Sequence, residues 1–525
     1  MAVTKILNQA FEYLRDIPND PYKIIGLVPV LFGVYVLITE VYRYQQRIPG
    51  FKGPKGYPLF GNIPQVLGDS AEVYRKWAKK WGPVYQVQLG NKPVIVVNTA
   101  NASKEIFLTN TRSTNSRPLM RTFHGVVSAT QGATIGSSPM DESLKRRRKA
   151  ATSALNKPAV QSYVHHIDLE SKEFVNDCFI RGKAGKISLD PMPLIKRMSL
   201  NMSLTLNWGT RIDNIDDPLF REIIHVEEMV SSFRSTTSNW EDYVPILRLN
   251  PFSKNTETAL DTRKRRDVYI KKLNKELDER MAKKTHKPCI QANVLTDPEA
   301  KLNATELMSL SVTMINAGLD TVTSTVVWGI AMLATRPDIQ ERAYNAIREF
   351  FDEDQVLCDP IEDQKCTYIV CLVRECLRYF TPLRLSLPRT VTTPFVYDGK
   401  KVPSGSLIFH NTWACNMDPE LYQNPEEFCP ERFLEHPQTP HFSYGYGSRM
   451  CAGNLLGNRE LYLLFMRLIS SFKIESPEEI DVNPLTGVHD PRALGVVPHP
   501  YKVVFKPRDE AKLAEALKSH VPVEI

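Results

Sequence analysis

The chain lacks the features that usually divide 525 residues into several domains. It has no Gly/Ser-rich linker, no low-complexity tract and no repeat at a fixed period. The roughly three or four domains that such a length suggests therefore give way to one large unit. No CxxC or CxxxH pairing occurs among its nine scattered cysteines, which argues against a secreted disulfide framework and against a zinc site. Cys178, Cys289, Cys358, Cys366, Cys371 and Cys376 read instead as small core or surface thiols in a reducing, cytosol-facing environment. An excess of one charge is also missing: 66 Lys+Arg against 59 Asp+Glu leave only +7. With no base-reading module either, nucleic acid is not an expected partner. No nicotinamide or flavin fingerprint is present, so any redox chemistry has to draw electrons from another protein. What remains is an ordinary globular balance, 42% hydrophobic and 24% charged, with ample apolar material for a large core.

One stretch departs from that balance. Ile24 to Thr39 carries no charge, and its apolar character continues through Val41 and Tyr42. A bilayer core takes about 20 mostly apolar residues, so this run is just long enough; Pro29 and Gly33 are tolerable inside it. A cleaved signal peptide is the rival reading, but the segment starts late and no small-residue cleavage site follows. Arg43, Arg47, Lys52 and Lys55 place the following side in the cytosol. IPGFKGPKGYPLFGN, Ile48 to Asn62, cannot continue a helix and reads as a stiff connector. The expected division is a lumenal segment 1–23, a single-pass transmembrane anchor 24–42, a Pro/Gly-rich linker 43–62 and a catalytic domain 63–525. Sequons at Asn101, Asn201 and Asn303 would then face the cytosol and read as chance matches.

The strongest local signal is Phe442-Ser-Tyr-Gly445-Tyr-Gly447-Ser-Arg449-Met-Cys451-Ala-Gly453, followed by the apolar-periodic LLGNRELYLLFMRLISSF. Cys451 thus stands in a glycine-bearing loop that opens onto a helix, where N–H groups and the helix dipole favour a thiolate. Gly445 and Gly447 permit a tight turn, Gly453 permits close approach of a flat ligand, and Arg449 can pair with a carboxylate. A lone cysteine at a helix start would be unremarkable; the complete spaced set is not. Upstream, Asn303 to Thr335 reads as one long helix, with an Asn303/Glu306 capping box and Pro337 just past its end. Midway lies Ala317-Gly318-Leu319-Asp320-Thr321, which taken alone is a small-residue packing site with a polar pair. Glu375 and Arg378 sit at i, i+3 on an apolar-periodic helix, so both charges share one face.

Together these motifs resemble the cytochrome P450 superfamily, from about Lys52 to about Arg508. The resemblance implies a mainly α fold with smaller β-sheets behind the N-terminal helix. It implies haem b (iron protoporphyrin IX) with Cys451 as the axial iron ligand and dioxygen as co-substrate. Glu375, Arg378 and Arg432 (in Pro430-Glu-Arg432-Phe433) would form a buried charge triad. Ala317 to Thr321 would lie over the distal face, with room for dioxygen at Gly318, a hydroxyl at Thr321 and a proton relay at Asp320. Arg449, Arg389 and Arg148 are the expected partners of the haem propionates. Arg148 belongs to the basic string KRRRK, Lys145 to Lys149, and Leu144 stands where the family usually has tryptophan. That basic face would steer an NADPH–cytochrome P450 reductase in the same membrane, the endoplasmic reticulum.

Within the superfamily the chain looks most like the fungal phenylacetate hydroxylase group. The likeness rests on RKWAKKWGPVYQVQLGNKPVIVVN (Arg75–Asn98), SRPLMRTFH (Ser116–His124), TIGSSPMDESLKRRRKAA (Thr134–Ala151), AGLDTV and LPRT. Met140 departs from the tryptophan expected there. The resemblance implies hydroxylation of a small phenolic or arylacetic substrate. Pocket residues by family position are Arg121, His124, Met314, Ala317, Thr321, Arg384, Leu387 and Leu494, with Arg384 or Arg121 as the cation for a substrate carboxylate. Three other readings stand beside this one. One is a biosynthetic P450 acting on a polyketide-derived or other secondary metabolite of the m-cresol or m-hydroxybenzyl alcohol type. Another is a haem-thiolate isomerase or dehydratase, against which Asp320 and Thr321 speak. The last is a haem sensor, which would leave the proton relay and the basic face without purpose.

Overall fold

The uncharged N-terminal run is helical, and the helix outlasts the run. In the computed structural model, which describes residues 21–518 except 251, 297–301 and 361–363 (21–26 by backbone alone), helix α1 covers Pro21–Gln46. The expected lumenal segment therefore lies almost wholly outside the described residues. Leu27–Gln46 is long and apolar enough to cross a membrane, and only 11% of it is buried. The last turns of α1 are tied to the body of the protein. Glu40 pairs with Arg43, Leu59 N–H donates to Glu40 Oε1 at 3.0 Å, and Arg43 donates to the Tyr57 carbonyl at 3.2 Å. Arg43 is thus helical and docked, and the irregular connector begins after Gln46.

Beyond it the chain is mostly helical, as resemblance implies. The long helices are α2 (Ser70–Trp81), α3 (Glu142–Ala154), α4 (Val164–Arg181), α5 (Met192–Trp208), α6 (Pro218–Arg234), α7 (Asn255–Ala282), α8 (Ala304–Thr335), α9 (Thr367–Phe380) and α10 (Asn454–Ser471). The main sheet has the order β1-β2-β6-β3, from β1 (Val84–Leu89), β2 (Lys92–Val97), β6 (Leu407–His410) and β3 (Arg389–Thr390). β2 and β6 run parallel, and the other two pairings are antiparallel. Two small antiparallel pairs complete the strands: β4 (Phe395–Tyr397) with β5 (Lys400–Val402), and β7 (Phe472–Glu475) with β8 (Val504–Pro507).

α8 organises the interior. Its start is fixed by the expected capping box: Asn303 Oδ1 accepts from Glu306 N–H at 2.8 Å, and Glu306 Oε2 accepts from Asn303 N–H at 3.1 Å. Its far half is buried on all sides, because α9 and α10 pack against it. Trp328 stacks on Phe380 with ring centroids 4.5 Å apart. Gly329 lets α10 approach closely: a Cβ there would lie 2.3 Å from Phe465 Cζ. The middle of α8, where Gly318 lies, crosses α5, and this leaves one face of the helix free to line a cavity.

Candidate functional site

That cavity encloses about 1870 Å³ of non-atom space, its open mouth and the solvent there included. α8 forms one wall, the loop before α10 another, and α3, α5, α6 and the segment before β3 close the rest.

Cys451 presents its exposed surface to the cavity. Its loop depends on two glycines: Gly445 has φ +73° and Gly447 φ +69°. A Cβ on Gly447 would also lie 1.9 Å from the Phe107 carbonyl oxygen. The turn closes where Cys451 N–H donates to the Tyr444 carbonyl at 2.9 Å. Burial pushes the Cys451 thiol up, while the Gly453 N–H and the Arg148 charge pull it down. At Gly453 an added Cβ would sit in ordinary contact with Cys451 Sγ at 4.0 Å and with Leu155 Cδ1 at 3.9 Å.

Arg148, Arg389 and Arg449 all line the cavity around this loop, and so does Arg117. Among the described residues they bind only neutral carbonyls. Arg148 donates to Ser448 at 3.0 Å, Arg389 to Tyr446 at 2.5 Å, and Arg449 to Asn115 at 2.9 Å and Ile135 at 3.0 Å. Arg117 donates to Gly136 at 3.0 Å, Pro388 at 3.0 Å and Leu387. No carboxylate among the described residues forms an ion pair with any of the four, and Arg389 Nε is buried without a partner there. Burial, reinforced by their mutual repulsion, lowers Arg449 to about 9 and Arg389 to about 10. A flat dianionic macrocycle with a thiol-seeking metal fits this lining. Cys451 would hold the iron of haem, and these guanidinium groups would hold its propionates.

On the opposite wall, Met314, Ala317, Gly318, Asp320 and Thr321 of α8 face the cavity. The Thr321 hydroxyl donates to the Ala317 carbonyl at 2.7 Å. Gly318 also serves packing, since a Cβ there would meet Ser203 Oγ of α5 at 3.0 Å. Asp320 accepts a hydrogen bond from Ser231 of α6. Burial raises Asp320 to about 6, against the opposing effects of Ser231 and Arg234.

Glu375, Arg378 and Arg432 come together as a buried network. Arg378 grips Glu375 with two bonds of 2.8 and 2.7 Å, and Arg432 Nε reaches the same carboxylate at 3.2 Å. Arg378 also donates to the carbonyls of Asn416, Pro425 and Glu427. This network fastens α9 to the chain that leads into the loop.

The KRRRK string divides its work. Lys145, Arg146 and Lys149 are exposed; Arg147 points inward to Ala133 O and Ser309 Oγ, both at 2.6 Å; Arg148 faces the cavity. Leu144, in the place of the usual tryptophan, is fully buried. Leu387 and Leu494 line the cavity as expected. Three other expected pocket residues do not. Arg384 is taken by Asp69 and the Pro484 carbonyl and lies over the Trp413 ring at 4.6 Å. Arg121 is half-exposed and 3.7 Å from Glu241. His124 lines a smaller side chamber, with Nε2 3.1 Å from Ser137 O and Nδ1 2.9 Å from Met120 N. A buried cation already holding a carboxylate has no charge to offer a ligand, so Arg384 is withdrawn as a substrate contact. Arg117, Arg234, Ser231 and Glu460, by contrast, were not singled out from sequence.

The cytochrome P450 family model matches residues 51–505. The chain is 57% identical over 495 residues to 3-hydroxyphenylacetate 6-hydroxylase of Emericella nidulans, covering 94% of this chain and 96% of that protein. It is 44% identical over 497 residues to phenylacetate 2-hydroxylase of the same organism, covering 92% and 95%. A third relative, cytochrome P450 monooxygenase CYP3 of Mycosarcoma maydis, is 37% identical over 532 residues, with 98% of each chain covered.

Proposed function

Because this chain belongs to the cytochrome P450 family, and is therefore a haem-thiolate monooxygenase, we propose that it hydroxylates a small phenolic or arylacetic substrate. The observation that carries this reading is the meeting of Cys451, the Asp320–Thr321 pair and a mostly apolar lining in one cavity. The names of its two Emericella relatives support the aromatic class.

The chemistry supplied by haem, once bound at Cys451, is the activation of dioxygen, with the thiolate donating the electron density that favours O–O cleavage. The chain's own residues supply the rest. Thr321 places a hydroxyl on the cavity face of α8, able to exchange its Ala317 bond for one to a water molecule in the cavity. Asp320 moves protons at the oxygen that Ser231 holds, and a pKa of about 6 makes both its forms accessible near neutrality. Leu387, Leu494, Met314 and Ala317 exclude water around the reacting carbon.

Electrons come from NADPH through a flavoprotein reductase, which docks on the basic face of Lys145, Arg146 and Lys149. α1 anchors the protein in the endoplasmic reticulum membrane, with the catalytic domain in the cytosol. The test is turnover by microsomes that contain this chain and a reductase. They receive NADPH with phenylacetate, 3-hydroxyphenylacetate, m-cresol or m-hydroxybenzyl alcohol, and products are identified by mass and retention. A ring- or methyl-hydroxylated product is expected. No product from any of the four, with a thiolate-type carbon monoxide spectrum intact, overturns the small-aromatic reading.

A further inference from the structure

Five guanidinium groups line the cavity, and four are accounted for. Arg148, Arg389 and Arg449 gather at the cysteine loop, and Arg117 is spread over three backbone carbonyls. The fifth, Arg234, ends α6 on the α8 side of the cavity. It forms no ion pair and donates no hydrogen bond to any described residue, and its Nε is buried without a partner. Its fixed neighbours are the Phe123 ring, 5.7 Å from Cζ, and Gly136, where a Cβ would lie 3.9 Å from Nη2.

The carboxylates around it offset its burial only through space, Asp320 most and then Glu227, and neither forms an ion pair with it. Glu227 is committed to Arg266, Tyr269 and Asn316. Asp320 accepts from Ser231, and burial holds it partly in its neutral form. Arg266 and Arg117 add repulsion. Burial accordingly pulls Arg234 below the usual arginine range. A cation left unpaired in a largely apolar wall is costly, and the cost is recovered when an anion reaches it.

We propose that Arg234 is the anion-binding residue of the substrate cavity, taking the carboxylate of an arylacetic substrate and leaving the aromatic ring to the apolar lining. This rests on the arylacetic reading above and narrows it. Arg384 and Arg121, the cations to which the sequence points, are paired elsewhere. Among the described arginines that line the cavity, Arg234 is the one with neither an ion pair nor a hydrogen bond.

The experiment measures binding of phenylacetate and of its neutral isostere phenylacetamide to the haem-loaded full chain by equilibrium dialysis. Wild type is compared with Arg234→Gln and Arg234→Lys. Removing one partner of a buried charge pair corresponds to at least about a 30-fold loss. Arg234→Gln should therefore lose about that factor for phenylacetate and less than about 3-fold for phenylacetamide, while Arg234→Lys keeps most of the preference for the anion. Equal loss of both ligands in Arg234→Gln means a packing role and overturns the proposal. So does wild-type binding of the amide with no preference for the acid. If wild type binds neither of these, nor m-cresol, the aromatic reading itself fails and takes this one with it.

Discussion

Replacing Glu375 with Gln tests whether the buried triad holds the cysteine loop in place. The Glu375 carboxylate is fully buried and accepts four donors: Arg378 Nε at 2.8 Å, Arg378 Nη2 at 2.7 Å, Arg432 Nε at 3.2 Å and Cys429 N–H at 2.8 Å. A glutamine keeps the shape but removes the charge, and it turns an amide N–H₂ toward donors that need an acceptor. Breaking a buried ion pair from one side costs about 3–5 kcal/mol. Counting bonds gives a similar figure, since two lost charge-assisted bonds at about 1.5–3 kcal/mol each come to about 3–6 kcal/mol. With a urea m-value of about 3 kcal/mol/M, the denaturation midpoint should fall by about 1 M or more. A large cofactor protein unfolds irreversibly, so the comparison is operational: urea midpoints of the thiolate-type carbon monoxide band, measured under identical conditions. Glu279→Gln is the control, because its partner Lys275 is exposed and the pair spans 3.8 Å on the surface of α7. If the Glu375→Gln midpoint moves by less than about 0.3 M, the triad does not stabilise the haem-side core and the reasoning fails.

Four further outcomes follow from the cavity. Cys451→Ser should remove the thiolate-type carbon monoxide band, and retention of that band would refute Cys451 as the axial ligand. Thr321→Ala should keep that band but divert electrons to peroxide, by about tenfold or more as a ratio of peroxide to product; unchanged coupling of NADPH to product sinks the role. Coupled turnover should inflect near pH 6, where Asp320 titrates, and Asp320→Asn should lose the inflection; its survival in the variant assigns it to another group. Glu460 lines the cavity with Oε1 unpartnered, and burial raises it to about 8 from 4.5. The folded state then keeps a proton that the unfolded chain releases, so this group's contribution to stability falls as pH rises from about 4.5 to about 8. Glu460→Gln should remove that fall and raise the thermal midpoint relative to wild type increasingly toward pH 8; a constant difference across that range contradicts the raised pKa.

The features legible in the sequence are those whose chemistry depends on spacing along the chain. Cys451, Arg449 and the two positive-φ glycines occupy one short loop, and the capping box of α8 occupies four consecutive residues, so local pattern was enough. The Glu375–Arg378 pair was visible as i, i+3, but its burial and its third member depend on how the segment around Arg432 folds back. The cations expected for a substrate carboxylate are engaged by other carboxylates for a related reason. Arg384 follows the triad helix in the chain as a pocket residue should, yet Asp69, 315 residues away, claims it. Nothing local distinguishes Arg234, because a basic residue in the last turn of a helix is ordinary. Only the absence of a partner sets it apart, and a missing partner is a property of the packed molecule. Ser231 reaches Asp320 because the end of α6 comes against α8, a contact no periodicity reports.

The charge balance of the cavity also bears on the choice between phenols and arylacetates. Five guanidinium groups line it against two carboxyl groups, Asp320 and Glu460, and burial shifts both of these toward their neutral forms. Two haem propionates would offset two of those cations, and the group nearest the Cys451 loop is already spread over carbonyl dipoles. Three cations remain, and of these Arg234 is the one with no hydrogen bond to a described residue. A neutral phenol entering there displaces water from a buried cation and returns no ion pair, so its binding bears that desolvation cost. An arylacetate displaces the same water and pairs the charge. With Arg234 as the proposed anion-binding residue, the lining would discriminate against the neutral class before any contact with the ring is counted, which is what the phenylacetate and phenylacetamide comparison measures.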